Sequence, residues 1–123
     1  MSEVADILPR EFRSAHRFAR IAPDKVRLVA RAISGMPVPA ALDALSVMNK
    51  RAAVLMRKVL QTAVANGQDQ DADLDPEDLY VTVAKVDEGP PMKRYRFRAY
   101  GRVARIRRRT SHITVVVSTK PRG

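Results

Sequence analysis

The sequence predicts an α+β fold in which three helices pack on a small antiparallel three-stranded sheet and a long β-hairpin protrudes. Three observations support this prediction. Apolar residues recur at helical spacing from residue 23 to residue 66, and the period changes to alternation after residue 78. The segment 89–101 then interrupts the strand pattern, because it is too polar for a core and is bounded by Gly and Pro. A chain of 123 residues suffices for one domain with a single core.

The elements of the first half of the chain are placed by their turn and cap residues. Residues 1–12 show no clear period, so we expect a loose N-terminal extension, and residues 13–21 suit an edge strand. Pro23 favours the first turn of a helix, because its φ is fixed and it has no amide hydrogen to lose. Gly35 ends that helix, and Pro39 begins a second, short one.

The third helix and the strand after it follow from the change of period. A single apolar stripe defines the helix, and the Asn-Gly pair at residues 66–67 predicts its end. An acidic loop over residues 67–78 separates the helix from a strand. Alternation in that strand places Leu79, Val81 and Val83 on one face, and Tyr80, Thr82 and Ala84 on the other.

The last strand is predicted at residues 113–117, continuing back through Val103 and Ile106. Since the polar segment lies between the two strands, the simplest connection is a β-hairpin over about residues 87–107. At about 3.3 Å per residue, arms of some ten residues would project roughly 30 Å beyond the base of this hairpin.

Composition excludes several classes of protein. The chain has no Cys, which excludes disulfides, thiolate zinc sites and Cys nucleophiles. Its longest uninterrupted apolar run, residues 52–56, is far shorter than the roughly 18 residues that a membrane span needs. The first residues include acids and no long apolar stretch, so we expect no secretory signal and a soluble protein without a membrane partner.

Neither a metal site nor an active site is predicted. The acidic loop fails the EF-hand pattern, because counting from Asp69 the positions that need Gly and Glu hold Leu74 and Tyr80. Neither His16 nor His112 lies in a Gly-rich elbow or at a metal-ligand spacing. Hydrogen bonding of His112 to phosphate or backbone is favoured over acid–base chemistry. We therefore expect no enzyme, no cofactor and no small-molecule substrate.

The net charge of +10 is carried by the C-terminal part of the chain. Glu88 is the last of the 13 acidic residues, whereas eleven of the 23 Lys and Arg residues follow it. Nine of these lie within residues 93–109, interleaved with Tyr95, Phe97 and Tyr100, and such a segment would repel itself on a solvated surface. Arg suits bidentate phosphate contacts and stacking on bases, so we predict that this segment binds RNA.

Alternatives remain open for the charged segments. A second basic group lies in the first half of the chain, and a solvated surface explains it as well as an RNA-binding face does: Arg10, Arg13, Arg17, Arg20, Lys25, Arg27 and Arg31. For the C-terminal segment, anionic lipid is the main physical rival, but the segment lacks an amphipathic helical stripe. Composition alone would also allow a free-standing nucleic-acid chaperone or an architectural nucleic-acid-binding protein.

Several motifs resemble one known family closely. Those of the first half are Lys25-Val26-Arg27-Leu28-Val29-Ala30 and Asn49-Lys50-Arg51-Ala52-Ala53. The most specific ones are Val86-Asp87-Glu88-Gly89-Pro90, Met92-Lys93-Arg94 and Arg109-Thr110-Ser111-His112-Ile113-Thr114-Val115-Val116-Val117. Through these motifs, residues 16–118 resemble the bacterial large-subunit ribosomal protein twenty-two family, the exit-tunnel hairpin protein. The chain departs from this family before the first helix, where Ala22 replaces the common Ser or Thr and removes a side-chain cap.

The resemblance implies a structural protein in the large subunit of the cytoplasmic bacterial ribosome. Its partners would be 23S ribosomal RNA, neighbouring large-subunit proteins and the nascent peptide, and it would support subunit assembly. The resemblance also implies that the hairpin tip helps to line the exit tunnel, through Met92, Lys93, Arg94 and Tyr95. The side chains implied to bind RNA are Arg17, Arg20, Lys25, Arg27, Arg31, Lys93, Arg94, Arg96, Arg98, Arg102, Arg105, Arg107, Arg108, Arg109, Ser111 and His112.

Overall fold

The computed structural model describes residues 10–90, 92–97 and 103–119, and it describes residues 92–97 and 103–108 by their backbone pairing. Its elements follow one another in this order: β1 (Glu11–Ala19), α1 (Pro23–Ile33), α2 (Val38–Val47), α3 (Arg51–Gln70), a short 3-10 turn (Pro76–Asp78), β2 (Tyr80–Glu88), β3 (Met92–Phe97), β4 (Val103–Arg108) and β5 (Ser111–Ser118).

The strands form two antiparallel sheets. The larger sheet has three strands in the order β1-β5-β2, and β3 pairs with β4 in a separate hairpin. α1 and α3 pack against the larger sheet, and α2 packs on α3. Among the described residues, no helix has the length and apolar character of a membrane span. One cluster of buried apolar side chains joins the two layers, from Ile33 and Met56 of the helices to Ile113 and Val115 of β5. The predicted α+β fold is confirmed. We call the helices and the larger sheet the body, and β3 with β4 the hairpin.

The edge strand β1 starts earlier than expected. It begins at Glu11, inside the 1–12 segment that the sequence predicts to be a loose extension, while residues 1–9 lie outside the described part of the chain. The physical reason is Phe12, whose side chain is 5% exposed and belongs to the core cluster. Phe12 lies between the charged residues Glu11 and Arg13, so the sequence pattern did not reveal that its side chain is buried.

Arg10 holds the start of β1 to two other segments. Its backbone N–H donates to Oγ1 of Thr119 (3.2 Å), beyond the end of β5. Its guanidinium pairs with the carboxylate of Asp71, which follows α3, and this hydrogen bond holds the pKa of Asp71 below its ordinary value. The last described residues at both ends of the chain are therefore joined to the body.

The first helix has the predicted boundaries. Pro23 occupies its first position, and the N-cap residue Ala22 makes no side-chain hydrogen bond. Gly35 adopts a φ of +83°, a left-handed conformation that ends the helix. The N–H of Gly35 donates to the carbonyl of Val81 (2.8 Å), so the turn after α1 is fixed to β2. The second helix begins one residue before its predicted start.

α3 continues three residues past its predicted end at Gly67. An added Cβ at Gly67 would lie 2.8 Å from Cδ2 of Leu74 and 2.9 Å from Cδ2 of Phe12. The glycine thus permits close packing of the helix on β1 and on the loop that follows, and it does not act as a stop. The amide of Asn66 donates to the carbonyl of Arg13 (2.9 Å), which ties the same turn of the helix to the edge strand.

A bulge in β2 moves the set of residues that face the core. The pairing with β5 shifts between Val81 and Val83. Leu79 and Val81 are buried, but beyond the bulge Ala84 and Val86 pack on the core, and Val83 does not share the face of Leu79 and Val81, contrary to the prediction. The extra residue of a bulge reverses the alternation, so the prediction for Val83 is wrong.

β4 and β5 are separate strands, so the predicted continuous strand through Val103 is wrong. Arg109 and Thr110 interrupt it, opposite Gly89 and Pro90. The Gly89 N–H donates to the Thr110 carbonyl (2.9 Å), and the Thr110 hydroxyl donates to the Pro90 carbonyl (2.8 Å). A Cβ on Gly89 would overlap Oγ1 of Thr110, so glycine is needed for this close approach. We call these four residues the junction, because they connect the hairpin to the body.

Replacing Gly67 with Ala is expected to lower the free energy of unfolding by about 1 kcal/mol. Alanine gains roughly 1 kcal/mol of helix propensity over glycine. The added methyl group overlaps Phe12 and Leu74, however, and overpacking of a core costs about 1–3 kcal/mol. Urea denaturation followed by circular dichroism measures the difference.

The control for this substitution is Gln68→Ala, at an exposed position on the same helical turn. It should change the free energy of unfolding by no more than about 0.5 kcal/mol. A Gly67→Ala protein that is more stable than the parent would show that the two neighbouring side chains move aside at little cost.

Candidate nucleic-acid interface

The first arm of the hairpin contains the four residues predicted at its tip: Met92, Lys93, Arg94 and Tyr95. Met92 pairs with Arg108 at the end nearest the body, and Phe97 pairs with Val103 at the last described position. The connecting residues 98–102, which include two of the arginines predicted to bind RNA, Arg98 and Arg102, lie outside the described residues. The family resemblance implied that these four residues form the tip, and the pairing corrects that position, because it places them in an arm that starts at the body.

Basic residues occupy nearly every pair of the hairpin. Five of its six described pairs contain Lys or Arg, and Lys93 lies directly opposite Arg107. Like charges at opposite positions destabilise a strand pair, and an isolated two-stranded hairpin is marginally stable in water. No acidic residue lies between Gly89 and Gly123. Compensation for this repulsion must therefore come from outside the hairpin, and a polyanion would supply it.

Arg109 is held at the junction by two carboxylates. Its two Nη atoms lie 3.3 Å from Oδ2 of Asp24 and 3.3 Å from Oε1 of Glu88. Asp24 belongs to the first turn of α1, and Glu88 is the last residue of β2. The guanidinium thus ties the base of the hairpin to two elements of the body. Arg109 is one of the residues implied to bind RNA, and in the structure its guanidinium is paired with these two carboxylates.

Ser111 and His112 both make contacts within the body. Ser111 has no exposed surface, and its hydroxyl donates to the carbonyl of Ile21 (2.6 Å), which leaves it unavailable for the predicted RNA contact. His112 is half-buried, and its Nδ1 accepts a hydrogen bond from the N–H of Phe18 (3.0 Å). In a neutral imidazole with Nδ1 as acceptor, Nε2 carries the proton and can donate to a ligand.

Of the five basic residues in or next to β1 and α1 that were implied to bind RNA, four are exposed: Arg17, Arg20, Lys25 and Arg31. None of these four forms an ion pair with the residues that the structure describes. Arg27 differs, because Nη1 lies 3.4 Å from Oδ1 of Asp24 and Nε lies 3.4 Å from the carbonyl oxygen of Val86. Arg27 therefore links α1 to β2, and the other four cations are available to an anion.

The acidic loop after α3 is organised by its own turns. Oδ1 of Asp71 accepts the N–H of Asp73 (3.1 Å), and Oδ1 of Asp75 accepts the N–H of Glu77 (3.0 Å). Such turns are a common use of Asp side chains in loops. Within the described part of the chain, no group of His, Cys, Asp or Glu could hold a metal ion. The loop leads into Tyr80, at the opposite end of β2 from the hairpin.

One feature of the surface was missed from the sequence. A groove of about 220 Å³ lies on the face of the larger sheet opposite the helices, and Phe18 is 59% exposed at its edge. Phe18 has a φ of +57°, in a break of the β1 pairing between His16 and Ala19. The available signal was an aromatic residue flanked by Arg17 and Arg20, but nothing in that spacing revealed the bulge.

The architecture and the basic hairpin agree with one known family. The family model described as ribosomal protein L22p/L17e matches residues 14–118. The match extends from within β1 to the last residue of β5, so it covers all three helices, the larger sheet and the hairpin. The resemblance seen in the sequence motifs is confirmed. The chain therefore belongs to the ribosomal protein L22p/L17e family and is a protein of the large ribosomal subunit.

Proposed function

We propose that this protein is a non-enzymatic structural component of the bacterial large subunit that binds 23S ribosomal RNA and supports subunit assembly. Its hairpin helps to line the exit tunnel, where it meets the nascent peptide and neighbouring ribosomal proteins, and the protein resides on cytoplasmic ribosomes. Family membership supports the assignment to the large subunit. The observation that carries the RNA-binding proposal is the hairpin, in which five of six described pairs hold a basic residue and neither strand contains an acidic one.

The distribution of charge over the body favours the same partner. The acidic loop lies beyond Tyr80, where β2 begins, and the hairpin leaves the body beyond Glu88, where β2 ends. Nine residues of extended strand, about 30 Å, therefore separate the acidic loop from the hairpin. Asp24 and Glu88 at the hairpin base are both paired with Arg109. A polyanion that approaches the hairpin would therefore meet basic residues, because the acidic loop is distant and the carboxylates at the hairpin base are paired with Arg109.

The expected strength of this attraction is large. Each phosphate that a protein neutralises releases condensed counterions, which contributes about 0.7–0.9 to the slope of log affinity against log salt. If about six of the eleven C-terminal cations contact phosphates, the affinity would fall roughly 10³-fold between about 50 and 200 mM salt. Surface ion pairs within the protein are worth far less, so RNA binding would dominate the behaviour of the hairpin.

The shape of the hairpin supports a tunnel-lining role. Each described arm has six residues and spans about 20 Å from the junction. The hairpin is only two strands wide and forms a sheet separate from the body, so it can enter a cleft between RNA helices while the body remains outside. Its orientation is set by the junction, chiefly by Arg109.

The proposal is tested by sedimentation of lysate from the native cells, with ribosomal subunits separated at low magnesium. We expect the protein in the large-subunit fraction, also after a moderate salt wash. Recovery at the top of the gradient with free nucleic acid would support a free-standing nucleic-acid chaperone or an architectural protein instead.

Shortening the hairpin is expected to leave the body intact. Replacing residues 94–106 with Asn-Gly makes Lys93 and Arg107 the last pair before a two-residue turn. Because the core lies in the helices and the larger sheet, the helical circular-dichroism signal and the sedimentation with the large subunit should persist. Photo-crosslinking from a stalled nascent chain to this protein should be lost. A collapse of the helical signal would show that the hairpin is part of the core.

Salt titration of RNA binding distinguishes free cations from positioning ones. Arg20→Ala should reduce the magnitude of the log–log salt slope by about 0.7–0.9, as one lost phosphate contact does. Arg109→Ala should reduce it much less, because Asp24 and Glu88 already balance that charge. Equal reductions would mean that Arg109 leaves its two carboxylates to contact phosphate. Circular dichroism of both variants controls for folding.

A further inference from the structure

We infer that the groove on the open face of the larger sheet binds an unpaired RNA nucleotide, with Phe18 stacked on the base and Arg13 and Arg17 beside the phosphates. The inference rests on the proposed RNA-binding function and specifies the form of RNA that this face takes. It concerns the body of the protein, at a site separate from the hairpin.

Small residues form the floor of the groove, and the register of the sheet shows which residues these are. Thr114 of the central strand β5 lies between its partners Ala15 on β1 and Lys85 on β2. Larger side chains stand on both sides, including Arg17 of β1 and Asp87 of β2. The helices pack on the other face of this sheet, so the body leaves the groove open to a ligand.

Phe18 is held as a rigid exposed platform. Its φ of +57° is rare for a bulky residue, and such conformations persist where the surroundings determine them and where function benefits. Its N–H donates to Nδ1 of His112 (3.0 Å), and the two rings meet edge to face with centroids 4.8 Å apart. Even with this contact, Phe18 remains 59% exposed. An aromatic ring fixed in this way suits stacking of a base, which every nucleobase accepts.

The charges around the groove suit a phosphate next to that base. Arg13 and Arg17 are exposed and have no ion pair among the residues whose side chains are described. Lys85 is balanced by Asp87, with Nζ 3.5 Å from Oδ2. The Asp87 carboxylate can accept N–H groups of a base edge, and Nε2 of His112 can donate to an acceptor. The groove therefore combines a stacking surface, two free cations and hydrogen-bonding groups of both kinds.

This combination favours an unpaired nucleotide over a helix. Phosphates of single and double strands attract Arg13 and Arg17 alike, so the cations do not discriminate between them. Bases within a duplex are stacked on one another, and only a base that has left the helix can lie on an aromatic side chain. Phe18 is the feature of the groove that a fully paired RNA cannot use.

The test uses the full chain and two probes: a short RNA duplex with a single bulged adenosine, and the same duplex fully paired. The chain has no Trp, so Phe18→Trp introduces a single fluorescent reporter at the platform. Val47→Trp is the matched control, because Val47 is 82% exposed at the end of α2, away from the sheet face. We expect the bulged duplex to quench the reporter at position 18 much more than the paired duplex does, and the control reporter to respond equally to both.

Affinity measurements with Phe18→Leu provide the second readout. Leucine keeps an apolar side chain but removes the aromatic face, so affinity for the bulged duplex should fall roughly 5- to 100-fold, the usual range for loss of one stacked base. Affinity for the paired duplex should stay within about twofold of the parent, since its phosphate contacts are retained. The parent's preference for the bulged probe should persist at higher salt, because stacking is not screened.

The outcomes separate this inference from the proposed function. Equal loss of affinity for both probes, or equal quenching at position 18, would overturn the nucleotide site while leaving RNA binding in place. If the preference for the bulged probe survives Phe18→Leu, the bulged nucleotide is bound by the hairpin. That result would also overturn the nucleotide site in the groove. If the parent protein binds neither probe at low salt, the proposed function itself fails.

Discussion

The central strand β5 is the element on which the rest of the structure depends. In the larger sheet it pairs with both β1 and β2, which do not pair with each other. Its inner face, formed by Ile113, Val115 and Val117, has no exposed surface, and burial of each such side chain contributes about 1.5–3 kcal/mol. Its outer face places His112 and Thr114 in the groove. Its first residue follows the junction, so β5 also determines where the hairpin leaves the body.

A second constraint is the separation of charge along the molecule. The hairpin concentrates basic residues in a sheet separate from the larger one, and the acidic loop lies at the far end of β2. The exception is informative. Asp24 and Glu88 lie close to the hairpin base, but each is paired with Arg109, so these carboxylates hold the hairpin in place and do not repel an incoming phosphate. Thr110 completes this connection, because its carbonyl accepts the N–H of Gly89 and its hydroxyl donates to the carbonyl of Pro90.

Sequence patterns predicted the features that depend on local chemistry, and they failed where distant segments meet. The helix start at Pro23 and the turn at Gly35 follow from backbone preferences of single residues. Gly67 was interpreted as a stop because its role depends on Phe12, which is 55 positions away in sequence and in contact across the fold. Val83 was misplaced because a bulge depends on the pairing of two strands.

The candidate site shows the same division. The basic hairpin could be predicted, since its composition is local and unusual. The roles of Arg109 and Ser111 could not, because an Arg that contacts phosphate and an Arg that is paired with Asp24 look alike in sequence. Ser111 is a residue type that often contacts RNA, yet its hydroxyl donates its hydrogen bond to the carbonyl of Ile21. Phe18 can be identified as a candidate stacking residue only from its bulge and its contact with His112.

The strand order β1-β5-β2 also bears on how this chain folds as it is synthesised. β1 is the first strand made, but both of its neighbours in the core, β5 and α3, come later, and β2 likewise waits for β5. No strand pair of the larger sheet can form until Ser111–Ser118 has been translated, whereas both strands of the hairpin precede that segment in the chain. The helices must therefore remain without their sheet through most of translation, and the larger sheet can form only after the central strand has been made.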